Sequence, residues 1–317
     1  MRAMVIAGLG VIGGAVFAAC GPVQAQPRRP SITSVSHLAV YAADPAKNDA
    51  FYVHDMGAMK LPDPENPSGV RYYFSPAQFV EVLPLPASAG INRLDHAAFN
   101  VSDAEGMRRF LISKGIAVPR KVSEGADGSR WFQVKDPEGM AIEFVQPPAS
   151  PPKIADGGLS THIIHVGFII HDRKLEDTFY RDVLGFRPYW AGGMKDDVTS
   201  WVSQQVPDGA DWLEYMIVGT PDTRGIPANM TQANLGVLDH FALGVPNMEA
   251  AFTRLWNEDR LKGQVDARGQ QAVPKIGRDA KWQLNLIDPD GTRAEVMELH
   301  AIGKPCCSPF TAGDPEK

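Results

Sequence analysis

The chain has 317 residues, with 37 acidic against 31 basic side chains and a net charge of −6. That length exceeds one ordinary core and suits two domains of roughly 150 residues each, and a content of 44% hydrophobic and 21% charged residues is that of a folded globular protein. The acidic balance, with no basic block beyond Arg28-Arg29, argues against a nucleic-acid partner and leaves a small molecule as the expected one.

The opening MRAMVIAGLGVIGGAVFAAC places one arginine before an apolar run of Gly, Ala and aliphatic residues, too short for a stable membrane span. It predicts a signal peptide over 1–25, cut after VQA at Ala25, then a short linker over 26–32. The protein is therefore expected to be exported, to the periplasm or beyond if its source is bacterial. FAAC ending at Cys20 resembles a lipoprotein box, with Phe17 a less usual first residue, so a lipid anchor at Cys20 is the one membrane attachment considered.

Two internal repeats follow. SHLAVYAADPAKNDAFYVHDMGA from Ser36 matches IHVGFIIHDRKLEDTFYRDVLGF from Ile164, which sets His37 on His165, Asp44 on Asp172 and Gly57 on Gly185. RLDHAAFNVSDAEGMRRFL from Arg93 matches VLDHFALGVPNMEAAFTRL from Val237, which sets Asp95-His96 on Asp239-His240. Two matched pairs make four units. Each begins with a strand carrying a histidine and turns at Asp44, Ser102-Asp103, Asp172 or Pro246-Asn247. A helical segment follows, which Gly57 or Gly185 can end in units one and three, and then alternating strands. DPEG at 136–139 and DPDG at 288–291 introduce the final strands of units two and four. The expected architecture is α+β, four βαβββ modules over 33–86, 92–147, 160–220 and 235–300. These form two tandem domains, 33–148 and 160–300, joined by the Pro- and Gly-rich linker 149–159. The tail 301–317 is expected to be loose. Its adjacent Cys306 and Cys307 allow a vicinal disulfide or an adventitious metal site, with a functionless exposed tail as the default.

A histidine on a half-buried strand needs a partner, and a core imidazole bonded to a carbonyl is the ordinary outcome for one such residue. Here there are four: His37, His96, His165 and His240. Two residues after each, on the same strand face, stands a small residue, Ala39, Ala98, Gly167 or Ala242. Each module's last strand carries a glutamate among apolar neighbours: Glu81, Glu143, Glu214 and Glu295. A carboxylate so placed is costly to bury unless paired or coordinated. Two imidazoles and two carboxylates brought together in each half suit a divalent ion of Fe, Ni, Co, Mn or Zn.

These four strand histidines, FYRDVLGF, DPEGMAIEF, DPDGTRAEV and the four glutamates resemble the vicinal oxygen chelate superfamily of glyoxalases, bleomycin-resistance proteins and extradiol dioxygenases, over nearly all of 34–300. The resemblance implies paired modules forming a cupped sheet with the metal inside. The candidate ligands are His37, Glu81, His96 and Glu143 in the first half and His165, Glu214, His240 and Glu295 in the second. Whether both halves bind metal stays open. If only one does, the second is expected, because Trp190, Trp201, Trp212, Trp256 and Trp282 all lie there, against Trp131 alone in the first, and tryptophan suits a planar apolar substrate.

Three functions fit. In a glyoxalase-type lyase or isomerase, a substrate would chelate the metal through two oxygens while Glu214 or Glu295 serves as base, although thiol-linked substrates are scarce outside the cytoplasm. An Fe(II) extradiol dioxygenase would use His165, His240 and Glu295, but Asn285 stands where the resemblance calls for Tyr and no histidine lies between 241 and 299. The third is a binding or sequestration protein without turnover. Among other candidates, His162 and His171 are expected at the rim or surface and His54 in solvent. Glu298 is rejected as a ligand by its odd spacing from Glu295, and Asp95 and Asp239 are expected to make structural hydrogen bonds.

Overall fold

The computed structural model describes residues 27–89, 92–155, 158–218, 239–266 and 268–316. The leader, with the Ala25 and Cys20 readings, lies outside the described residues, as does the start of the fourth module before Asp239. The first module is β1 (Ile32–Ala42), α1 (Pro45–Asp49) running into a π-turn over Ala50–Asp55, then β2 (Met59–Pro62), β3 (Val70–Ser75) and β4 (Gln78–Pro84). The second is β5 (Leu94–Val101), α2 (Ala104–Ser113), β6 (Ser123–Glu124), β7 (Arg130–Lys135) and β8 (Ala141–Gln146). The third repeats the plan with β9 (Ile163–Ile170), α3 (Arg173–Asp177) and its π-turn Thr178–Val183, β10 (Arg187–Gly192), β11 (Trp201–Gln205) and β12 (Trp212–Ile217). The fourth has β13 (His240–Val245), α4 (Met248–Asn257), β14 (Lys275–Ile276), β15 (Trp282–Ile287) and β16 (Arg293–Glu298). Each is βαβββ, as the repeats predict.

The turn residues named from sequence are the helix caps. Asp44, Asp103, Asp172 and Asn247 each hold extended backbone and accept from a first-turn amide, which satisfies a donor the helix cannot. Gly57 and Gly185 leave the π-turns at φ 74° and 82°, a left-handed conformation that costs a Cβ-bearing residue free energy.

Modules pair within halves. The first sheet runs β2-β3-β4-β1-β5-β8-β7-β6 and the second β10-β11-β12-β9-β13-β16-β15-β14. The first strands of the two modules join antiparallel at the centre, and each last strand runs parallel beside its own first strand.

The two halves share one apolar core on the helix-bearing side, where Phe241 meets Tyr52 and Phe74, and Phe99 meets Phe186. Polar locks cross it reciprocally. Tyr52 of module one donates to Asp288 of module four at 2.9 Å, and Tyr180 of module three donates to Asp136 of module two at 3.1 Å. The same two turns hold the helix entrances. Asp290 accepts from Ala43 N, Asn48 and Arg93, and Glu138 accepts from His171 N and Asp172 N.

The tail departs from expectation. It is not loose but packs as a strap along the edge of β10: Thr311 N donates to Tyr189 O, Trp190 Nε1 to Cys306 O and Ala191 N to Ser308 Oγ. Phe310 lies on Tyr189, and Asp314 receives Lys281 Nζ at 2.7 Å. The sequence gives no hint of this, because the strap is anchored by Lys281, far upstream, rather than by its own periodicity. Cys306 and Cys307 are joined as a vicinal disulfide.

Tyr52→Phe and Tyr180→Phe each remove a buried donor from a carboxylate. Each is expected to cost about 1–2 kcal/mol of unfolding free energy, and the double variant about the sum, because the two bonds share no partner. Urea denaturation measures both.

Candidate metal centres

The register explains how histidine and glutamate meet. Across the first sheet, Glu81, Ala39 and His96 lie in one row, and His37, Ala98 and Glu143 in the next. The second sheet aligns Glu214, Gly167 and His240, then His165, Ala242 and Glu295. In every row a small residue stands between a histidine and a glutamate carried by the strands on either side. Those outer strands are roughly 10 Å apart, so the donors meet only over a residue that leaves the space above it empty. A Cβ on Gly167 would fall 2.0 Å from Cε1 of His240. The small residues are thus the floor of each cup, a sharper role than leaving room beside an imidazole.

In the first cup, His37 Nε2 and His96 Nε2 are 2.9 Å apart, and each lies 3.7 or 3.8 Å from an oxygen of Glu81 and of Glu143. In the second, His165 Nε2 and His240 Nε2 are 3.0 Å apart, Glu295 lies 3.5 Å from His165, and Glu214 lies 3.1 Å from His240. Donors bound about 2.1 Å from one ion at about 90–110° lie roughly 3.0–3.4 Å from one another, so both sets fit a divalent metal. Glu81 Oε2 and Glu143 Oε1 are buried with no hydrogen-bond partner, each facing His37 Nε2, and such oxygens call for a cation or a proton. Donor atoms of His37, Glu81 and His96, and of His165, Glu214 and His240, lie within 4.8 Å of one another, and Glu143 and Glu295 stand beside these sets, 3.7 and 3.5 Å from a histidine nitrogen.

The surroundings add Phe79, Asn66 and Gln133, which the sequence reading did not single out, and give Trp212 a place. Phe79 stacks on His37 at 4.4 Å and Trp212 on His165 at 4.6 Å, each two residues before its strand glutamate and so on the same face. That spacing was a usable signal. Asn66 donates to Glu81 and Gln133 to Glu143, both at 3.0 Å. Asp95, expected to make a structural bond, accepts from His96 Nδ1 at 2.6 Å and also receives Tyr41 OH. Asp239 makes no counterpart bond: among the described residues its carboxylate has no partner. Trp190, Trp201 and Trp212 cluster beside the second cup, whereas Trp256 is exposed on α4 and Trp282 packs toward the shared core. His54 is exposed, His171 binds Glu138, His162 binds Asp211, and Glu298 caps α4 through Met248 N. None of these four reaches a cup.

The sequence matches no family model and no curated protein. Solved structures do match. Homoprotocatechuate 2,3-dioxygenase from Arthrobacter globiformis superposes with a TM-score of 0.64 at 16% identity, over 90% of this chain and 86% of that one. The Mn(II)-bound glyoxalase from Novosphingobium aromaticivorans gives 0.62 at 15%, over 85% and 83%. A catechol 2,3-dioxygenase gives 0.61 at 14%, over 88% and 95%. The chain has the vicinal oxygen chelate fold. The sequence left open whether modules pair within or between halves, and the two sheets show that each half pairs its own two modules.

Protonation divides the two cups. In the first, burial pulls His96 down, but the carboxylates of Glu143, Asp95 and Glu81 outweigh it and push it up to about 9. Burial raises Glu81 and Glu143, while His37 is driven well below the ordinary imidazole value by burial and by His96 and Arg71. In the second, burial would raise both carboxylates, but His240 holds Glu214 below its ordinary value, and His165 with Arg293 holds Glu295 down to about 2. Burial also lowers His240.

Cation binding at the first cup must therefore displace protons, and its affinity should climb as pH rises through about 9. At the second cup burial holds His240, and its neighbours hold Glu214 and Glu295, toward their proton-free forms, so affinity there should change less with pH through the neutral range and fall in acid. Titration calorimetry in buffers of different ionisation enthalpy reads the proton release, using metal-stripped His240→Ala for the first cup and His96→Ala for the second. Separately, Gly167→Ala must push the His240 ring from its place, and metal content is expected to fall by the second-cup ion alone.

Proposed function

We propose that the second cup is the reactive centre of a metal-dependent enzyme of glyoxalase type, a lyase or isomerase acting on a small substrate that presents two neighbouring oxygens. The observation that carries this reading is the fourth donor. Glu214 sits 3.1 Å from His240 and is the one ligand of its set whose side chain is appreciably exposed, at 15%. A divalent ion held by His165, Glu214, His240 and Glu295 would supply Lewis acidity toward the two substrate oxygens. Glu214, kept as a carboxylate by the imidazoles, is placed to take the proton from the hydroxyl-bearing carbon beside a carbonyl and return it to the carbonyl carbon, while the hydroxyl proton passes to the former carbonyl oxygen, so that the net change is an isomerisation. Trp190, Trp201 and Trp212 supply an apolar wall that excludes water and suits a planar substrate. Export is part of the proposal and rests on the leader, and cell fractionation checks it.

A second reading is supported by the dioxygenases among the similar structures: ring cleavage at His165, His240 and Glu295, with Glu214 uninvolved. Glu214→Gln separates the two. The isomerase reading expects kcat on α-hydroxycarbonyl or hemithioacetal substrates to fall about 10²–10⁴-fold, with the remaining ligands still holding metal. The dioxygenase reading expects catechol-dependent oxygen uptake that survives the substitution. Bound metal with neither activity would leave a binding protein.

A further inference from the structure

The two cups have the same donors but unlike surroundings. In the first, His37, Glu81 and Glu143 are fully buried and His96 is 1% exposed. Asn66 and Gln133 clamp the two carboxylates, Ser36 Oγ lies 3.1 Å from His37 Nδ1, and Asp95 with Tyr41 fixes His96. Partners of this kind hold ligands in their binding geometry before an ion arrives. In the second, Ile164 and Ile169 stand where Ser36 and Tyr41 stand in the first repeat, and among the described residues the buried His165 Nδ1 has no hydrogen-bond partner.

A cover also lies over the first cup. Arg71, opposite Glu81 in the register, is 2% exposed and pairs with Asp63 at 3.1 Å and with Glu65, while its guanidinium rests 4.2 Å from the Phe79 ring. Asn66 comes from the same loop. Arg71 thus answers Asp63 and Glu65, which leaves the buried carboxyls of Glu81 and Glu143 facing His37 and His96 inside the cup. Buried polar oxygens are costly unless a proton or a cation satisfies them.

We propose that the first cup is a sealed site that retains a resident divalent ion as part of the fold, whereas the ion of the second cup exchanges with solvent. Structural metal sites close all positions with protein groups, and reactive ones keep a position open. The ion ties β1, β4, β5 and β8 together at the seam of the first two modules, and Arg71, Asp63, Glu65 and Asn66 bar its exit. The inference does not depend on the chemistry of the second cup.

The test loads the full chain with Co(II) during refolding, then follows cobalt per chain during dialysis against EDTA by elemental analysis and by the visible absorption of the bound ion. Wild type is expected to start with two ions, lose one quickly and keep the other at least about tenfold longer. His240→Ala should start with one ion and keep it, and His96→Ala should start with one and lose it quickly. Asn66→Ala, checked for folding by circular dichroism, should speed loss of the slow ion by about tenfold. Equal rates for both ions in wild type would overturn the proposal, as would retention in His96→Ala. If His96→Ala does not fold, an unchanged slow rate in Asn66→Ala overturns it instead. A chain that holds only a slow ion, kept in His240→Ala and absent from His96→Ala, would sink the proposed second-cup enzyme and the exchanging half of this inference, and would uphold the sealed first cup.

Discussion

Each cup depends on the antiparallel seam between the first strands of its two modules. Pairing β1 with β5, or β9 with β13, sets each histidine directly across from a small residue of the other strand, and the parallel last strands then add a glutamate on the far side of that residue. At Gly167 even one methyl group would occupy the His240 ring, whereas the other three rows accept the methyl of Ala39, Ala98 or Ala242 at their centres. A slip of one residue along the seam would send the donors to the helix side, where they would be buried without partners.

The cups would be shallow sheets without support from behind, and that support crosses between halves. The turn of module four holds the helix entrance of module one, and the turn of module two holds that of module three. Neither half therefore owns all the contacts that keep its strands curved. The division of labour between cups is laid over this symmetric frame by a few side chains: serine, tyrosine and a salt-bridged arginine behind one site, isoleucines and tryptophans beside the other.

Much of this was legible in the sequence because repetition multiplies weak signals. One histidine in GVLDHFALGV says little, but the same residue at 37, 96 and 165, each with its small neighbour and its strand glutamate, fixes module, face and donor set together. Turn chemistry at Asp44, Asp103, Asp172 and Asn247 was equally readable, since capping is a local requirement. What escaped was non-local. Asn66 reaches Glu81 from the loop between β2 and β3, and Lys281 anchors a tail whose partner Asp314 lies 33 residues on. The reciprocal use of Tyr52 and Tyr180 was also hidden, because the matching tyrosines sit in one pair of modules and their aspartates in the other. Pattern periodicity carries no information about such pairings.

The strap has a consequence for the order in which the protein can be completed during synthesis. Its residues leave the ribosome after every strand of both sheets, yet Asp314 neutralises Lys281 and Phe310 covers Tyr189 beside the Trp212 ring that stacks on His165. Until they emerge, a buried ammonium and an apolar strand edge at the second cup stand uncovered. The donors of the first cup, by contrast, are all translated by Glu143, in the first half of the chain. The first cup can therefore gather its ligands while the second half is still being made, and the second is finished only after the strap has emerged.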